Sequence, residues 1–137
     1  MDFQLTDEQR QLQASAREFA RAELPALAQR LEIENAPPPH DLIHRYAQMG
    51  FLGINVPERL GGLGLGNLEA LIVLEEFGKI SSAVAFPIFE SCVGPVRAIE
   101  HFAAPALAER VVPAVCRGEM VIAVSMSEPD AGSALTD

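Results

Sequence analysis

Proline and glycine residues divide this chain into short segments, and they constrain its fold more than any other feature. The chain has 137 residues, of which 10 are glycine and 10 are proline. Three consecutive prolines, Pro37–Pro39, end one segment, and four glycines fall within the eleven residues Val56–Gly66. Neither stretch can continue a helix, because proline lacks a backbone N–H and glycine is a poor helix former. The pattern predicts one domain of several short helices joined by loops.

Signals for helix starts and stops place these helices along the chain. Thr6 and Gln9 have the spacing of a capping box at the start of the first helix, and Pro25 kinks or interrupts that helix. Three more helices are predicted at about 41–49, which Gly50 ends, at about 67–79, and at about 106–117, which Gly118 ends. A further helix is predicted to start at Ser81-Ser82, and Pro87 and Pro95 make it irregular or end it early.

The last part of the chain has a different character. Residues Glu119–Met126 are apolar and rich in β-branched side chains, which predicts a strand. A Pro/Gly turn follows, and no second strand is available for pairing. We therefore predict a mainly α fold, an orthogonal helical bundle that ends in the first strand of a truncated β-domain. The predicted domains are residues 1–119 and residues 120–137.

Composition excludes several classes of function. Ten Lys and Arg against nineteen Asp and Glu give a net charge of −9, which disfavours binding to nucleic acid or to an anionic membrane. The polar N-terminus does not resemble a secretory signal, and we find no apolar stretch of membrane-spanning length. Two cysteines are too few for a disulfide framework. We expect a cytoplasmic protein without a membrane span.

Several residue pairs could carry chemistry, but a structural interpretation is favoured for each. His40 and His44 have a metal-binding spacing without a third ligand, so we expect no metal site. Glu75 and Glu76 point in different directions on a helix, so they do not form a carboxylate pair, and we expect them on a surface or interface face. The glycine run at 61–66 lacks the Lys-Ser/Thr of a phosphate loop and is interpreted as a flexible connector.

Two further features can be interpreted from the residues alone. Cys92 and Cys116 are expected to pack in the helical core rather than to act as nucleophiles. The segment Ser125–Ser133 combines a strand end, hydroxyl groups and a turn, which can bind a polar cofactor ring or a phosphate. On local chemistry an ordinary β-turn is the favoured interpretation of this segment.

Four segments, taken in order, resemble the N-terminal part of the acyl-CoA dehydrogenase family. They are Phe3–Arg10, Met49–Glu58 with Leu60–Gly64, Leu74–Gly78 and Ser127–Ser133. The resemblance covers essentially the whole chain, and the second and fourth segments together are specific. The chain departs from the family's pattern at Asp130, where glycine is usual, and at Ala134, where aspartate is usual.

The resemblance implies a role in fatty-acid metabolism with FAD as the cofactor. In this family a glutamate removes the α-proton of an acyl-CoA thioester, and a hydride passes from the β-carbon to flavin N5. The family has a helical N-terminal domain, a middle β-barrel and a C-terminal bundle. We expect the catalytic glutamate to lie beyond Asp137, so no catalytic residue is assigned and the chain alone is expected to be inactive.

The resemblance also implies site residues. The backbone at 124–126 is expected to contact the flavin pyrimidine edge, Ser127 to lie near the flavin's reactive centre, and Ser133 to contact flavin or CoA. A helix is expected to line the acyl pocket, with Phe89 closing its floor. The expected cofactor-binding residues are Val124, Ser125, Met126, Ser127, Gly132 and Ser133, and the expected substrate-binding residues are Ser133, Ala85, Phe86 and Phe89.

Three kinds of partner are implied by the same resemblance. They are an acyl-CoA substrate, further copies of the chain or a complementary subunit that carries the C-terminal domain, and an electron-transfer flavoprotein or similar electron acceptor. Two alternatives stay open: a non-catalytic partner subunit or helical interaction module, and a flavin-dependent relative that performs monooxygenation or nitroalkane oxidation.

Overall fold

The computed structural model describes residues 4–129 and 131–133, and the regular structure within these ranges is helical. This confirms the mainly α helical bundle that the sequence predicts. The elements are α1 (Asp7–Glu23), α2 (Pro25–Glu34), α3 (His40–Gln48), a 3₁₀ helix (Glu58–Leu60), α4 (Asn67–Gly78), α5 (Ser82–Cys92), α6 (Pro95–Phe102) and α7 (Pro105–Cys116).

The first two helices begin where the sequence predicts. Thr6 Oγ1 accepts a hydrogen bond from the Gln9 N–H at 3.2 Å, and Gln9 Oε1 accepts one from the Thr6 N–H at 3.0 Å. This reciprocal pair is the predicted capping box. Pro25 stands at the first position of α2, where its missing N–H costs no helical hydrogen bond. Pro25 therefore separates two helices rather than kinking one.

The two prolines near α5 have different effects. Ser81 Oγ accepts a hydrogen bond from the Ala83 N–H at 3.2 Å and caps the start of α5. The helix continues through Pro87, whose side chain is buried. Pro95 instead begins the separate helix α6. The sequence pattern around Pro95 does not predict α6 as an element of its own.

The glycine run at 61–66 connects the 3₁₀ helix to α4, as predicted, and it is mostly exposed, but backbone hydrogen bonds tie it to the segment before it. Residues 51–56 are buried. Three backbone hydrogen bonds of 2.9–3.1 Å join residues 63–65 to residues 53–56. A side chain at Gly62 would meet the Gly53 carbonyl oxygen at 2.5 Å. Gly62 has no room for a side chain, because the two backbone segments are in direct contact at this position.

An aromatic cluster fills the core between α1, α3 and α4. The Phe77 ring lies 5.7 Å from Phe19, 5.1 Å from Tyr46 and 5.1 Å from Phe51, measured between ring centroids. Phe77 and Tyr46 are fully buried, and the Tyr46 hydroxyl donates to the Val84 carbonyl at 2.9 Å. Helix α4 is therefore the central element, packed against α1 on one side and α5 on the other.

A second, smaller core lies at the other end of the domain. Val56 and Leu60 of the glycine-rich stretch pack with Val96 of α6 and with Val112 and Val115 of α7. The stretch Ser82–Phe102, which comprises α5 and α6, is long and apolar enough to cross a membrane by length and composition, which corrects the expectation that no stretch of that length exists. It contributes to both cores, so this is weak evidence for a membrane span.

Glu76 is buried in an ion-pair network with Arg17 of α1 and with Lys79, whereas the sequence predicts a surface or interface position for it. Its side chain is 2% exposed, and its carboxylate accepts hydrogen bonds from Arg17 at 2.9 and 3.1 Å and from Lys79 at 2.8 Å. Glu75 is 62% exposed, as expected. The hydrogen bond from Arg17, reinforced by Lys79, lowers the pKa of Glu76 to about 2 against the effect of burial.

Replacing Glu76 by glutamine is expected to make stability less sensitive to acid. The lowered pKa of Glu76 in the folded state stabilises the fold above pH ~4.5, and that contribution is lost as the pH falls toward 2. We expect Glu76→Gln to lower the free energy of unfolding by ~1–2 kcal/mol at pH 7 and progressively less below pH ~4.5. Urea unfolding from pH 7 to 3 measures this. Glu75→Gln is the control, and a pH-independent difference for Glu76→Gln would contradict the prediction.

The strand predicted over Glu119–Met126 does not form in the part of the chain that the structure describes. Residues 120–127 have no regular structure and make no backbone hydrogen bond within the described ranges. Only an isolated bridge follows, in which the Glu128 N–H donates to the Ala131 carbonyl at 2.9 Å. Strand propensity alone is insufficient, because a ladder needs a second strand.

Candidate functional site

An apolar groove of about 340 Å³ lies between α4 and α5. It is lined by Leu74, Gly78, Ser82, Ala85, Phe86 and Phe89. This set contains all three α5 residues that are expected to line an acyl pocket. The structure therefore brings Ala85, Phe86 and Phe89 together in one groove.

Helical spacing explains why these residues share a groove. Leu74 and Gly78 are four residues apart on α4, and Ser82, Ala85 and Phe89 are three and four apart on α5, so each set lies on one helix face. Gly78 leaves space at the groove wall, since a Cβ there would have no atom within 4 Å. Leu74, Gly78 and Ser82 were not among the predicted site residues. Only the contact between α4 and α5 adds them.

Two phenylalanine rings form the exposed apolar part of the groove. Phe86 is 55% exposed and Phe89 is 37% exposed, and their ring centroids lie 5.7 Å apart. Gly94 lies against the Phe89 ring, where a Cβ would approach the ring's Cε1 to 2.9 Å. Exposed aromatic rings that line a concave surface are typical of ligand-binding or interaction sites.

No charged side chain is among the six described residues that line this groove. Lys79 directly follows Gly78 but lines a different depression, together with Gln29 and Ser81. Its ammonium group lies 2.8 Å from Glu76 and 3.1 Å from Glu75. The Lys79 charge is therefore already paired, outside the lining of this groove.

A second groove of about 480 Å³ adjoins the first one and shares Phe86 with it. Pro37–Pro39, Ile43 and Pro87 give it an apolar wall, and His40, Glu90 and Val121 complete it. Burial raises the pKa of the Glu90 carboxyl group. Val121 is the point at which the C-terminal segment meets α5.

The predicted cofactor-binding residues follow directly after this contact. Val124 is 51% exposed and Met126 is 59% exposed, and Ser125 and Ser127 are exposed beside them. Gly132 and Ser133 lie after the isolated bridge and are also exposed. These residues occupy an open segment, and their role in binding stays a prediction. Asp130 and Ala134, where the chain departs from the family pattern, lie outside the described residues.

Both cysteines are buried, as the sequence predicts. Cys92 Sγ accepts a hydrogen bond from the Ile54 N–H at 3.4 Å, and burial raises the pKa of its thiol. Burial also raises the pKa of Cys116 to about 11. Thiols with raised pKa values are poor nucleophiles at neutral pH, so both residues are packing elements of the core.

Comparison with known proteins decides between the interpretations of this arrangement. Residues 6–119 match the family model of the acyl-CoA dehydrogenase N-terminal domain. The chain belongs to the acyl-CoA dehydrogenase family. The family resemblance of the four sequence segments is thereby confirmed, and the matched region includes α4, α5 and the groove between them.

Individual known proteins are similar to this acyl-CoA dehydrogenase family chain over nearly its whole length. Acryloyl-CoA reductase (NADH) of Anaerotignum propionicum is 35% identical over 133 residues, which covers 97% of this chain and 33% of that protein. The structure of the glutaryl-CoA dehydrogenase complex with glutaryl-CoA has a TM-score of 0.89 and 31% identity, covering 98% of this chain and 35% of that one. The FAD complex of PigA has a TM-score of 0.84 and 28% identity, covering 98% and 36%. The chain spans about a third of the length of each.

Proposed function

We propose that this chain is the N-terminal region of an FAD-dependent acyl-CoA dehydrogenase that desaturates an acyl-CoA thioester between its α- and β-carbons. The observation that carries the proposal is the apolar groove between α4 and α5, in a chain whose residues 6–119 match this family's N-terminal domain. The groove would take up the acyl chain. The general base that removes the α-proton is expected outside residues 1–137.

The groove can position an acyl chain without reacting with it. Leu74, Phe86 and Phe89 offer hydrocarbon surface, and burial of a chain against such surface contributes about 0.8 kcal/mol for each methylene group. The described groove contains no acid, base or thiol that could attack the thioester. Its role in catalysis would be to hold the reacting carbons in a fixed position relative to groups supplied by other parts of the protein.

The segment after α7 fits a flavin ring in its backbone chemistry. In the described part of the chain the N–H and C=O groups of residues 120–127 make no hydrogen bond, so they are free to pair with a polar ring edge. The hydroxyl groups of Ser127 and Ser133 add donors to the same exposed segment. When bound, the flavin supplies the hydride acceptor for the reaction. The backbone at 124–126 would orient its pyrimidine edge.

The remaining features of the proposal concern assembly and location. We propose that residues 120–137 begin a second, β-rich domain, whose next strand pairs with the free backbone groups at 120–123 and leaves those at 124–126 for the flavin. An electron-transfer flavoprotein or similar acceptor, and an oligomer or complementary subunit that carries the C-terminal bundle, follow from the family. The net charge of −9 supports solubility, and a cytoplasmic location is part of the same proposal.

Replacing Phe89 by alanine is expected to shift the preferred acyl chain length upward in the complete flavoprotein. The Phe89 ring lines the groove and lies against Gly94, and we propose that it limits the depth available to the acyl chain. A methylene group in such a pocket is worth ~1–3 kcal/mol in discrimination, so the optimum should move by one to two methylene pairs. Steady-state kcat/KM for even-numbered acyl-CoA thioesters from four to twelve carbons measures the shift.

The control for this experiment is Phe102→Ala. Phe102 is 89% exposed and does not line the groove, so its removal should leave the chain-length profile unchanged. An unchanged profile for Phe89→Ala would remove this residue from the acyl site. Flavin bleaching by a nitroalkane, with none by any acyl-CoA thioester, would replace the proposed function with nitroalkane oxidation.

Replacing Ser127 by alanine is expected to weaken FAD binding by about threefold to tenfold. One hydroxyl hydrogen bond to a polar ligand contributes ~0.5–1.5 kcal/mol net. The ligand-free melting temperature should barely change, because Ser127 is exposed. Titration of FAD into the ligand-free complete protein and its variant measures the two dissociation constants, and thermal unfolding without FAD measures the two melting temperatures. Ser15→Ala on α1 is the control. Equal dissociation constants would exclude Ser127 from the flavin site.

A further inference from the structure

We infer that the groove between α4 and α5 selects acyl groups that carry no charge at their far end, and that it excludes the thioesters of dicarboxylic acids. The inference rests on the proposed function, because it specifies which acyl-CoA thioesters the same groove accepts. It concerns a property on which known relatives differ. By their names, one relative acts on acryloyl-CoA, which has an uncharged acyl group, and another binds glutaryl-CoA, whose acyl group ends in a carboxylate.

The lining of the groove offers a carboxylate almost nothing to bind. Four of its side chains are hydrocarbon, Gly78 has no side chain, and the Ser82 hydroxyl is the single polar side-chain group among these described residues. An ionised carboxylate moved from water into such a site needs a cation or several hydrogen-bond donors. One hydroxyl at the first turn of α5 does not meet that need.

The cation next to the groove in the sequence is not available either. The Lys79 ammonium group is paired with Glu75 and Glu76 and lines a different depression of the surface. The hydrogen bond to Glu76, and then that to Glu75, raise the pKa of Lys79, because the two carboxylates stabilise its charged form. Moving Lys79 into the groove would leave the buried Glu76 with Arg17 as its one remaining partner.

The titratable groups near the groove belong to its neighbours and not to its lining. Glu90 and His40 both line the adjoining groove, which shares Phe86 with the first one. Glu75, one turn before Gly78 on α4, is paired with Lys79 at 3.1 Å. The uncharged lining of the groove itself therefore favours an uncharged acyl group.

Three thioesters separate the effect of charge from the effect of length. Hexanoyl-CoA and adipoyl-CoA have the same number of acyl carbons and differ in the terminal carboxylate, and the monomethyl ester of adipoyl-CoA restores neutrality at greater length. In the complete flavin-loaded protein we expect kcat/KM for adipoyl-CoA to be about 100-fold below that for hexanoyl-CoA, and the methyl ester to recover at least tenfold. Dissociation constants measured by calorimetry with the flavin already reduced, so that no turnover occurs, should follow the same order.

A charge placed in the groove tests its position. Ser82→Arg puts a guanidinium group at the one polar lining residue, and we expect it to raise kcat/KM for adipoyl-CoA at least tenfold relative to hexanoyl-CoA. Ala106→Arg is the matched control, because Ala106 is exposed in the first turn of α7 and does not line the groove.

The outcomes distinguish this inference from the proposed function. Equal use of hexanoyl-CoA and adipoyl-CoA by the unmodified protein would overturn the inference and leave the dehydrogenase function standing. If kcat/KM for the adipoyl methyl ester were as low as that for adipoyl-CoA, the inference would also be overturned, because chain length and not charge would then explain the low kcat/KM. If no acyl-CoA thioester of any length reduced the flavin, the proposed function would fail and the inference with it. The comparison in the unmodified protein holds even if Ser82→Arg does not fold.

Discussion

Replacing Gly62 by alanine is expected to lower the free energy of unfolding by ~3–4 kcal/mol, although the change adds a single methyl group. A Cβ at this position would overlap the Val56 carbonyl oxygen and would lie 2.5 Å from both the Gly53 carbonyl oxygen and the Val56 Cβ. Two of these atoms belong to the backbone, which cannot rotate away as a flexible side chain can. Forced backbone shifts in a packed region account for the upper range of overpacking effects.

Chemical denaturation of Gly62→Ala and Gly78→Ala provides the measurement. A Cβ at Gly78 would have no atom within 4 Å, and Gly78 is the last residue of α4. Alanine there should be neutral or stabilise the protein by up to ~1 kcal/mol. If Gly62→Ala proved as stable as the unmodified protein, residues 53–56 and 62–65 would not be packed as described.

Replacing Phe77 by alanine is expected to destabilise the protein by ~3–5 kcal/mol. Phe77 is fully buried and contacts Phe19, Tyr46 and Phe51 through its ring, so its loss leaves a cavity at the centre of the larger core. Part of the loss comes from the aromatic contacts themselves, which contribute beyond the buried area. Because α4 carries both Phe77 and one wall of the groove, acyl-chain binding should weaken as well.

Thermal and urea unfolding of Phe77→Ala test this expectation, with Phe77→Leu as a conservative variant. Leucine fills most of the space and should recover more than half of the lost stability. Phe102→Ala removes the same side chain from a site that is 89% exposed and should change the free energy of unfolding by less than ~0.5 kcal/mol. Similar losses for Phe77→Ala and Phe102→Ala would contradict the description of the core.

Local signals were sufficient for most helix boundaries. The Thr6–Gln9 capping box, Pro25 at the start of α2 and Gly118 after α7 act through the backbone of their immediate neighbours. Gly118 has φ +71°, a conformation that glycine adopts without strain and that ends a helix. Such signals are readable in a sequence because their partners lie within four residues.

The same local reasoning was insufficient where the deciding partner is distant in the sequence. Glu76 is buried because Arg17, 59 residues earlier, supplies the opposite charge. The strand predicted over Glu119–Met126 is not formed within the described residues, because a strand depends on a neighbour that local composition cannot supply. The glycine run at 61–66 is tied in place because residues 53–56 hydrogen-bond to it.

The candidate site divides in the same way. Residues Ala85, Phe86 and Phe89 were found from the position of their helix in a family pattern. Leu74, Gly78 and Ser82 complete the groove by virtue of the packing of α4 against α5, which no spacing within one helix can show. Packing also keeps the neighbouring cation out of the groove, because Lys79 is paired with Glu75 and Glu76 and lines a different depression.

The sequence by itself determined the helix boundaries that depend on caps, prolines and glycines, the mainly α class, the burial of the two cysteines and the family to which the chain belongs. Each of these rests on interactions within a few residues or on the order of segments along the chain. The tertiary structure alone decided that Glu76 is an internal ion-pair partner, that the glycine run at 61–66 is hydrogen-bonded to residues 53–56, and that six residues of α4 and α5 enclose one uncharged groove. The physical reason is that burial, ion pairing and groove shape depend on which surfaces meet, and those surfaces come from segments far apart in the chain.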